Sequence, residues 1–149
     1  EWYAKNEFIH QDFVKEVDAV ATLSQLPFEK IFFLNFMYEY STFAACTGLL
    51  VRTPEGKVIH GRNLDFEMWE LFSKLLTNVQ YYRGDKLIFS SDIVVGSVFA
   101  LTGIRPGSFA VNCDTRYAKH FVDDLISVLK DNAIPTLWLL RKVLAEETD

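Results

Sequence analysis

Three residues of this sequence have types and spacing that carry chemistry: Cys46, Arg62 and Asp65. A lone cysteine is by default a small buried hydrophobe, and Cys46 in isolation reads that way. Its surroundings change the reading. Cys46 follows Ser41-Thr42-Phe43-Ala44-Ala45, where helical periodicity gives way to strand, and Arg62 comes sixteen residues later. A guanidinium beside a thiol favours the thiolate, and its planar fork can also hold a carbonyl or an orienting carboxylate. Asp65, just beyond the strand that carries Arg62, is placed to fold back toward the same end. The plainer alternative for Arg62 and Asp65 is a local surface ion pair of little energetic weight.

Whether thiol and guanidinium meet depends on the elements that position them. Thr47-Gly48-Leu49-Leu50-Val51-Arg52 and Lys57-Val58-Ile59-His60-Gly61-Arg62 flank the turn sequence Thr53-Pro54-Glu55-Gly56-Lys57. Pro54 presets φ for a type I turn, and Gly56 takes the left-handed position after it, which makes a hairpin. With Pro54, Glu55 and Gly56 as the loop, Thr53 faces Lys57, Gly48 faces Arg62 and Cys46 faces Leu64. Even-numbered residues then share one face, and Cys46 and Arg62 are diagonal neighbours at roughly 7–8 Å between backbones. A two-residue turn would shift the register by one and send Arg62 to the opposite face. Leu49, Val51, Val58 and Ile59 offer apolar side chains to both faces, so the two strands are expected to be central in their sheet.

The rest of the chain frames this hairpin. Apolar residues recur every three to four positions over residues 8–26, Pro27 interrupts, and a second, more buried helix follows through Phe28, Ile31, Phe32, Met37 and Tyr38. Strands are expected at 77–82 and 87–91, joined by Arg83-Gly84-Asp85-Lys86. Two more are expected at 97–102 and 109–114, with a loop through Gly103-Ile104-Arg105-Pro106-Gly107. Helix returns near 121–130 and, after Pro135, near 136–147. Helices, then an antiparallel meander, then helices indicate an α+β domain rather than alternating βαβ units. Among 149 residues, 50% are apolar, and the net charge of −5 gives no electrostatic footprint for nucleic acid. No apolar run approaches the roughly 20 residues of a membrane span. Cys46 and Cys113 allow one disulfide at most, and His10, His60 and His120 lack metal-ligand spacing. No cofactor or metal is implied. His60 reads as a packed or surface histidine and Cys113 as structural. None of the six Asn residues begins an N-x-S/T acceptor, and the ends at Glu1 and Asp149 read as those of a processed or truncated chain.

Cys46-Thr47-Gly48-Leu49-Leu50-Val51, followed by Gly56-Lys57-Val58-Ile59-His60-Gly61-Arg62-Asn63-Leu64-Asp65-Phe66, resembles the start of the β-subunit in the family of acid ceramidase and N-acylethanolamine acid amidase. Leu34-Asn35 with Tyr38-Glu39, Leu101-Thr102-Gly103 with Pro106-Gly107, and Trp138 agree in order and approximate spacing. The resemblance implies an N-terminal-nucleophile hydrolase related to choloylglycine hydrolases, which cuts itself before the cysteine and then cleaves linear amides. It implies part of a four-layer αββα sandwich, incomplete in this chain. Residues 1–45 would be a helical segment like the end of the family's α-subunit, and residues 46–149 the first part of the β-subunit-like catalytic domain. Cys46 would be nucleophile and, once freed, base; Arg62 and Asp65 would orient amine and thiol. The implied substrate is a lipid-like N-acyl amide, ceramide or N-acylethanolamine, and the implied compartment is the lysosome. An apolar wall for the acyl chain is expected from the aromatic-rich helices around residues 28–40.

Two departures give a second reading. The family commonly carries Glu-Arg where this chain has Thr115-Arg116 after Asp114, and the segment before Cys46 is about two residues longer. A non-catalytic relative would act as a structural or interaction subunit, docking through Trp2-Tyr3. On either reading, a partner chain or further sequence is expected to complete the sheets.

Overall fold

The computed structural model describes residues 11–40, 44–66, 69–114, 126 and 134–146. Helix α1 (Gln11–Ser24) presents Phe13, Val17 and Ala21, one side of the turn repeat, to the interior. Pro27 stands just before α2 (Phe28–Leu34), where its missing N–H is harmless. A short α3 (Met37–Tyr40) leads toward the hairpin β1 (Ala44–Arg52) and β2 (Val58–Phe66). Then come α4 (Trp69–Leu75), β3 (Leu76–Arg83), β4 (Lys86–Val94), β5 (Thr102–Ile104), β6 (Ala110–Asn112) and α5 (Thr136–Glu146). Strands β1 and β2 form a two-stranded ribbon; the other four form an antiparallel sheet in the order β3-β4-β5-β6. The fold is mixed α+β.

One face of the four-stranded sheet is covered by helices. Phe13 of α1 stacks on Phe99 at 5.1 Å between ring centroids and meets Trp138 of α5 edge-on at 4.4 Å. Arg141 of α5 lies 5.2 Å from the centre of the Tyr81 ring on β3, and its guanidinium forks onto Glu16 of α1 with both N–O distances at 2.6 Å. Phe32, Phe36 and Met37 are buried in the same cluster. Each such buried side chain contributes roughly 1.5–3 kcal/mol. Phe32, Phe36 and Met37 are thus committed to the core and Phe28 and Tyr38 pack against it in part, which corrects the expectation of a helical wall for an acyl chain; Phe33 is 60% exposed.

The expected strand at 97–102 is not formed. Residues 98–101 are buried together without alternation, and two of their backbone donors are met by side chains: Val98 N–H by Asn35 Oδ1 at 2.8 Å and Phe99 N–H by Ser97 Oγ at 3.2 Å. Backbone satisfied in this way needs no ladder. Pairing begins at Thr102 instead, so Gly103 and Ile104, expected in a loop, belong to β5. The strand expected over 109–114 shortens to β6, and α4, a seven-residue helix, lies where no element was expected. The helix expected over 121–130 lies outside the described residues apart from Ile126, as do Trp2, Tyr3 and Thr115.

The hairpin register is Gly48↔Arg62 and Cys46↔Leu64, as the three-residue turn requires. Gly56 has φ +83°, and the turn closes with Gly56 N–H donating to the Thr53 carbonyl at 2.9 Å. The ribbon is not central, however. Among the described residues, β1 and β2 pair only with each other, and Leu49, Leu50, Val58 and Ile59 are each more than half exposed.

Candidate active site

The ribbon's even-numbered face looks onto the face of the four-stranded sheet opposite the helices. Arg62 makes the principal connection. Its Nη1 donates to Thr102 Oγ1 at 3.0 Å, and its Nη2 donates to the Cys113 carbonyl at 2.8 Å and to Cys46 Sγ at 3.4 Å. The guanidinium therefore fixes the thiol against the second sheet, and alternation along the ribbon is what lets it. Its Nε is buried and has no hydrogen-bond partner among the described residues, so the hold rests on the two terminal nitrogens.

His60, one even position further along β2, makes the second connection. Its Nε2 and Asn112 Oδ1 are 2.6 Å apart, and Asn112 Nδ2 donates to Asp114 Oδ1 at 2.5 Å. With the amide oxygen facing the ring, Nε2 carries the proton in this assignment. Gly48 is the gap that admits this chain. A Cβ there would lie 3.2 Å from Asp114 Oδ2 and 3.3 Å from both ends of the Asn112 amide. A carboxylate thus reaches the Cys46 face of β1 from Asp114.

Asp65 is placed differently from the expectation. Strand β2 does not stop at Arg62 but runs to Phe66, so Asp65 lies on the odd face, away from Cys46 and Arg62. It accepts from Asn63 Nδ2 at 2.9 Å. By register it is opposite Ala45, beside the Ala45–Cys46 peptide bond. The structure therefore brings Cys46 and Arg62 together and leaves the Asp65 side chain on the other face. Cys113 is buried, with its thiol 3.3 Å from Tyr38 Oη, which fits a structural residue.

Sequence reasoning missed Thr102, Asn112, Asp92 and Asn78 as neighbours of the site. They form one row across the sheet, since Asn78 pairs with Asp92, Asp92 with Thr102 and Thr102 with Asn112. The signal was present in β3, where Asn78-Val79-Gln80-Tyr81 alternates polar and apolar, and absent from β4, where Leu87-Ile88-Phe89 and Ser90-Ser91-Asp92 fall in blocks. Between this row and the ribbon lies a cleft of about 590 Å³ whose walls include His60, Arg62, Leu64, Asn78, Asp92 and Leu101. Among the described residues no group of three or more His, Cys, Asp or Glu is arranged to hold a metal ion, and no helix is long and apolar enough to cross a membrane.

Fold and site together define a class: a mixed α+β domain whose hairpin carries, near the start of its first strand, a cysteine clasped by an arginine on the same face. Comparison with known proteins narrows it. The chain is 30% identical over 142 residues to the N-acylethanolamine-hydrolyzing acid amidase of Rattus norvegicus, covering 95% of this chain and 39% of that protein. It is 31% identical over 119 residues to the acid ceramidase of Bos taurus, covering 71% of this chain and 30% of that one. The solved structure of the Caenorhabditis elegans N-acylethanolamine-hydrolyzing acid amidase ortholog matches with a TM-score of 0.58 at 27% identity, over 70% of this chain and 44% of that one. No family model matches the chain. The chain belongs to the family of N-acylethanolamine-hydrolyzing acid amidase and acid ceramidase. It spans 39% and 30% of the lengths of the two relatives above.

Proposed function

We propose that this chain carries the nucleophile of an amidase that hydrolyses the linear amide of a lipid-like N-acyl substrate, an N-acylethanolamine or a ceramide. The observation that carries the reading is the Arg62 guanidinium at 3.4 Å from Cys46 Sγ, on the hairpin whose first strand carries the proposed cleavage point near its start. Self-cleavage starts with attack of Sγ on the Ala45 carbonyl; the Cys46 nitrogen leaves as an amine, and water releases the resulting thioester. The freed α-amine then takes the thiol proton, and the thiolate attacks the substrate carbonyl. Collapse breaks the C–N bond, the leaving amine takes the proton, and water hydrolyses the acyl-thioester to a free acid and the thiol. Arg62 holds Sγ in place throughout. Asp65, opposite Ala45 in register but with its side chain on the other face, would have to turn to meet the new amine once the strand is cut.

On this reading, residues 1–45 stay docked through the Phe13 and Glu16 contacts with α5, and further sequence or a partner chain covers the exposed ribbon to complete an αββα sandwich. A lysosomal site of action belongs to the same proposal. The test is mass spectrometry of the full-length protein with turnover of N-acylethanolamines and ceramides. The expected result is a fragment beginning at Cys46, lost together with turnover in Cys46→Ala. An uncut, inactive protein at mildly acidic pH would refute it.

One observation favours a non-catalytic relative instead. The Ala45–Cys46 bond lies inside the β1–β2 ladder, with Ala44 and Ala45 both paired. A permanently uncut chain that copurifies in fixed stoichiometry with other subunits would establish that role.

A further inference from the structure

The polar row on the four-stranded sheet is used unevenly. Thr102 and Asn112 are taken up by Arg62 and His60, whereas Asn78 and Asp92 bond to one another, Asn78 Nδ2 donating to Asp92 Oδ1 at 2.9 Å. Both are exposed, and both line the cleft whose walls also include Arg62. Asn78 has its donor turned to Asp92, so its own oxygen and the second oxygen of Asp92 make no hydrogen bond to any described residue and are open to the cleft. The positive charge nearby is already committed, because the terminal nitrogens of Arg62 go to Thr102, Cys113 and Cys46. What the cleft offers a ligand is therefore two acceptors and one negative charge. Asp92 pairs directly with Thr102, the residue that receives Arg62, so this charge stands one cross-strand pair from the clasp.

We propose that Asp92, steadied by Asn78, is the subsite for the amine half of the substrate amide. It selects headgroups that end in a hydrogen-bond donor, hydroxyl or ammonium, and rejects amides of amino acids, whose carboxylate would face Asp92. This rests on the amidase reading above and names which amides that site takes. A donor satisfies Asp92 with a charge-assisted bond, whereas a carboxylate meets like charge.

The test uses three N-octanoyl amides, of ethanolamine, ethylenediamine and glycine, with full-length protein. Hydrolysis is compared as ratios of kcat/KM, which do not depend on how much of a variant is folded. Binding is measured by calorimetry on Cys46→Ala, with and without Asp92→Asn. The expected result is a preference of about tenfold or more for the ethanolamine and ethylenediamine amides over the glycine amide, falling at least about fivefold in Asp92→Asn, with ethylenediamine losing most. Ratios that move less than about twofold while the protein still hydrolyses amides overturn the subsite and leave the amidase reading intact. Absence of hydrolysis with the binding preference present, and sensitive to Asp92→Asn, refutes the amidase reading and upholds the site. Absence of both refutes the two together.

Discussion

Replacing Arg62 by Met should release the hairpin from the four-stranded sheet while leaving each sheet folded. The ribbon meets that sheet through a few side chains, and Arg62 supplies two normal-length bonds, to the Cys113 carbonyl at 2.8 Å and Thr102 Oγ1 at 3.0 Å. A hydrogen bond to a charged group contributes about 1.5–3 kcal/mol. The side chain is only half-buried and its Nε is unpartnered, so the lower figure applies to each bond, about 3 kcal/mol together. At about 1.4 kcal/mol per factor of ten, amides of β1 and β2 should exchange hydrogen on the order of a hundredfold faster, through local opening rather than global unfolding. Hydrogen–deuterium exchange read by element is the assay, with β3 and β4 as the internal control. Thr102→Val removes one of the two acceptors and should accelerate the ribbon about tenfold. Arg62→Lys should fall between the two variants, since a point charge cannot reproduce the fork. A change under about threefold, or equal acceleration in β3 and β4, would refute Arg62 as the clasp.

Two further perturbations test the frame behind the site. Gly103→Ala should destabilise by about 1–3 kcal/mol in urea or thermal unfolding, because the added Cβ would lie 2.3 Å from a methyl of fully buried Leu144 and 3.1 Å from the Ser90 carbonyl; a neutral variant would show that α5 does not pack where it is described. Burial pushes the Tyr81 phenol above its ordinary value of 10.0, with Arg141 opposing and Glu16 adding to the shift. The unfolded chain therefore ionises first, so stability from this group is complete below about pH 10 and falls as pH rises toward the folded value. Urea midpoints of the unmodified protein and Tyr81→Phe should diverge through that alkaline window, and parallel curves would refute the assignment.

How far the sequence revealed this arrangement varies with the physics of each segment. The hairpin was legible because Pro54 and Gly56 leave one economical turn, and a fixed turn fixes the register of every residue beyond it, including Gly48 against Arg62. The end of β2 was legible too, in retrospect: Asn63-Leu64-Asp65-Phe66 keeps alternating polar and apolar, so Asp65 had to stay in the strand and face away from Cys46. Residues 98–101 were not legible. A short apolar run reads as a buried strand unless one knows that Asn35, some sixty positions earlier, meets the Val98 N–H. The seven residues of α4 are too few to set a helical period, and none is fully buried; Phe72 and Leu75 pack against the core only in part.

The site itself depends on a relation that no single strand carries. Polar residues at Asn78, Asp92, Thr102 and Asn112 each look like an ordinary solvent-facing position of an antiparallel strand. They become a site only because strand order lines them into one row and because the ribbon lies across that row with His60 and Arg62 pointing inward. Gly48 is the hinge of this logic. A Cβ there would sit tight against the Asp114 and Asn112 side chains, which would have to give by a few tenths of an ångström. The close approach of Asn112 and Asp114 to β1 thus depends on the absent side chain opposite Arg62, while the guanidinium holds the thiol.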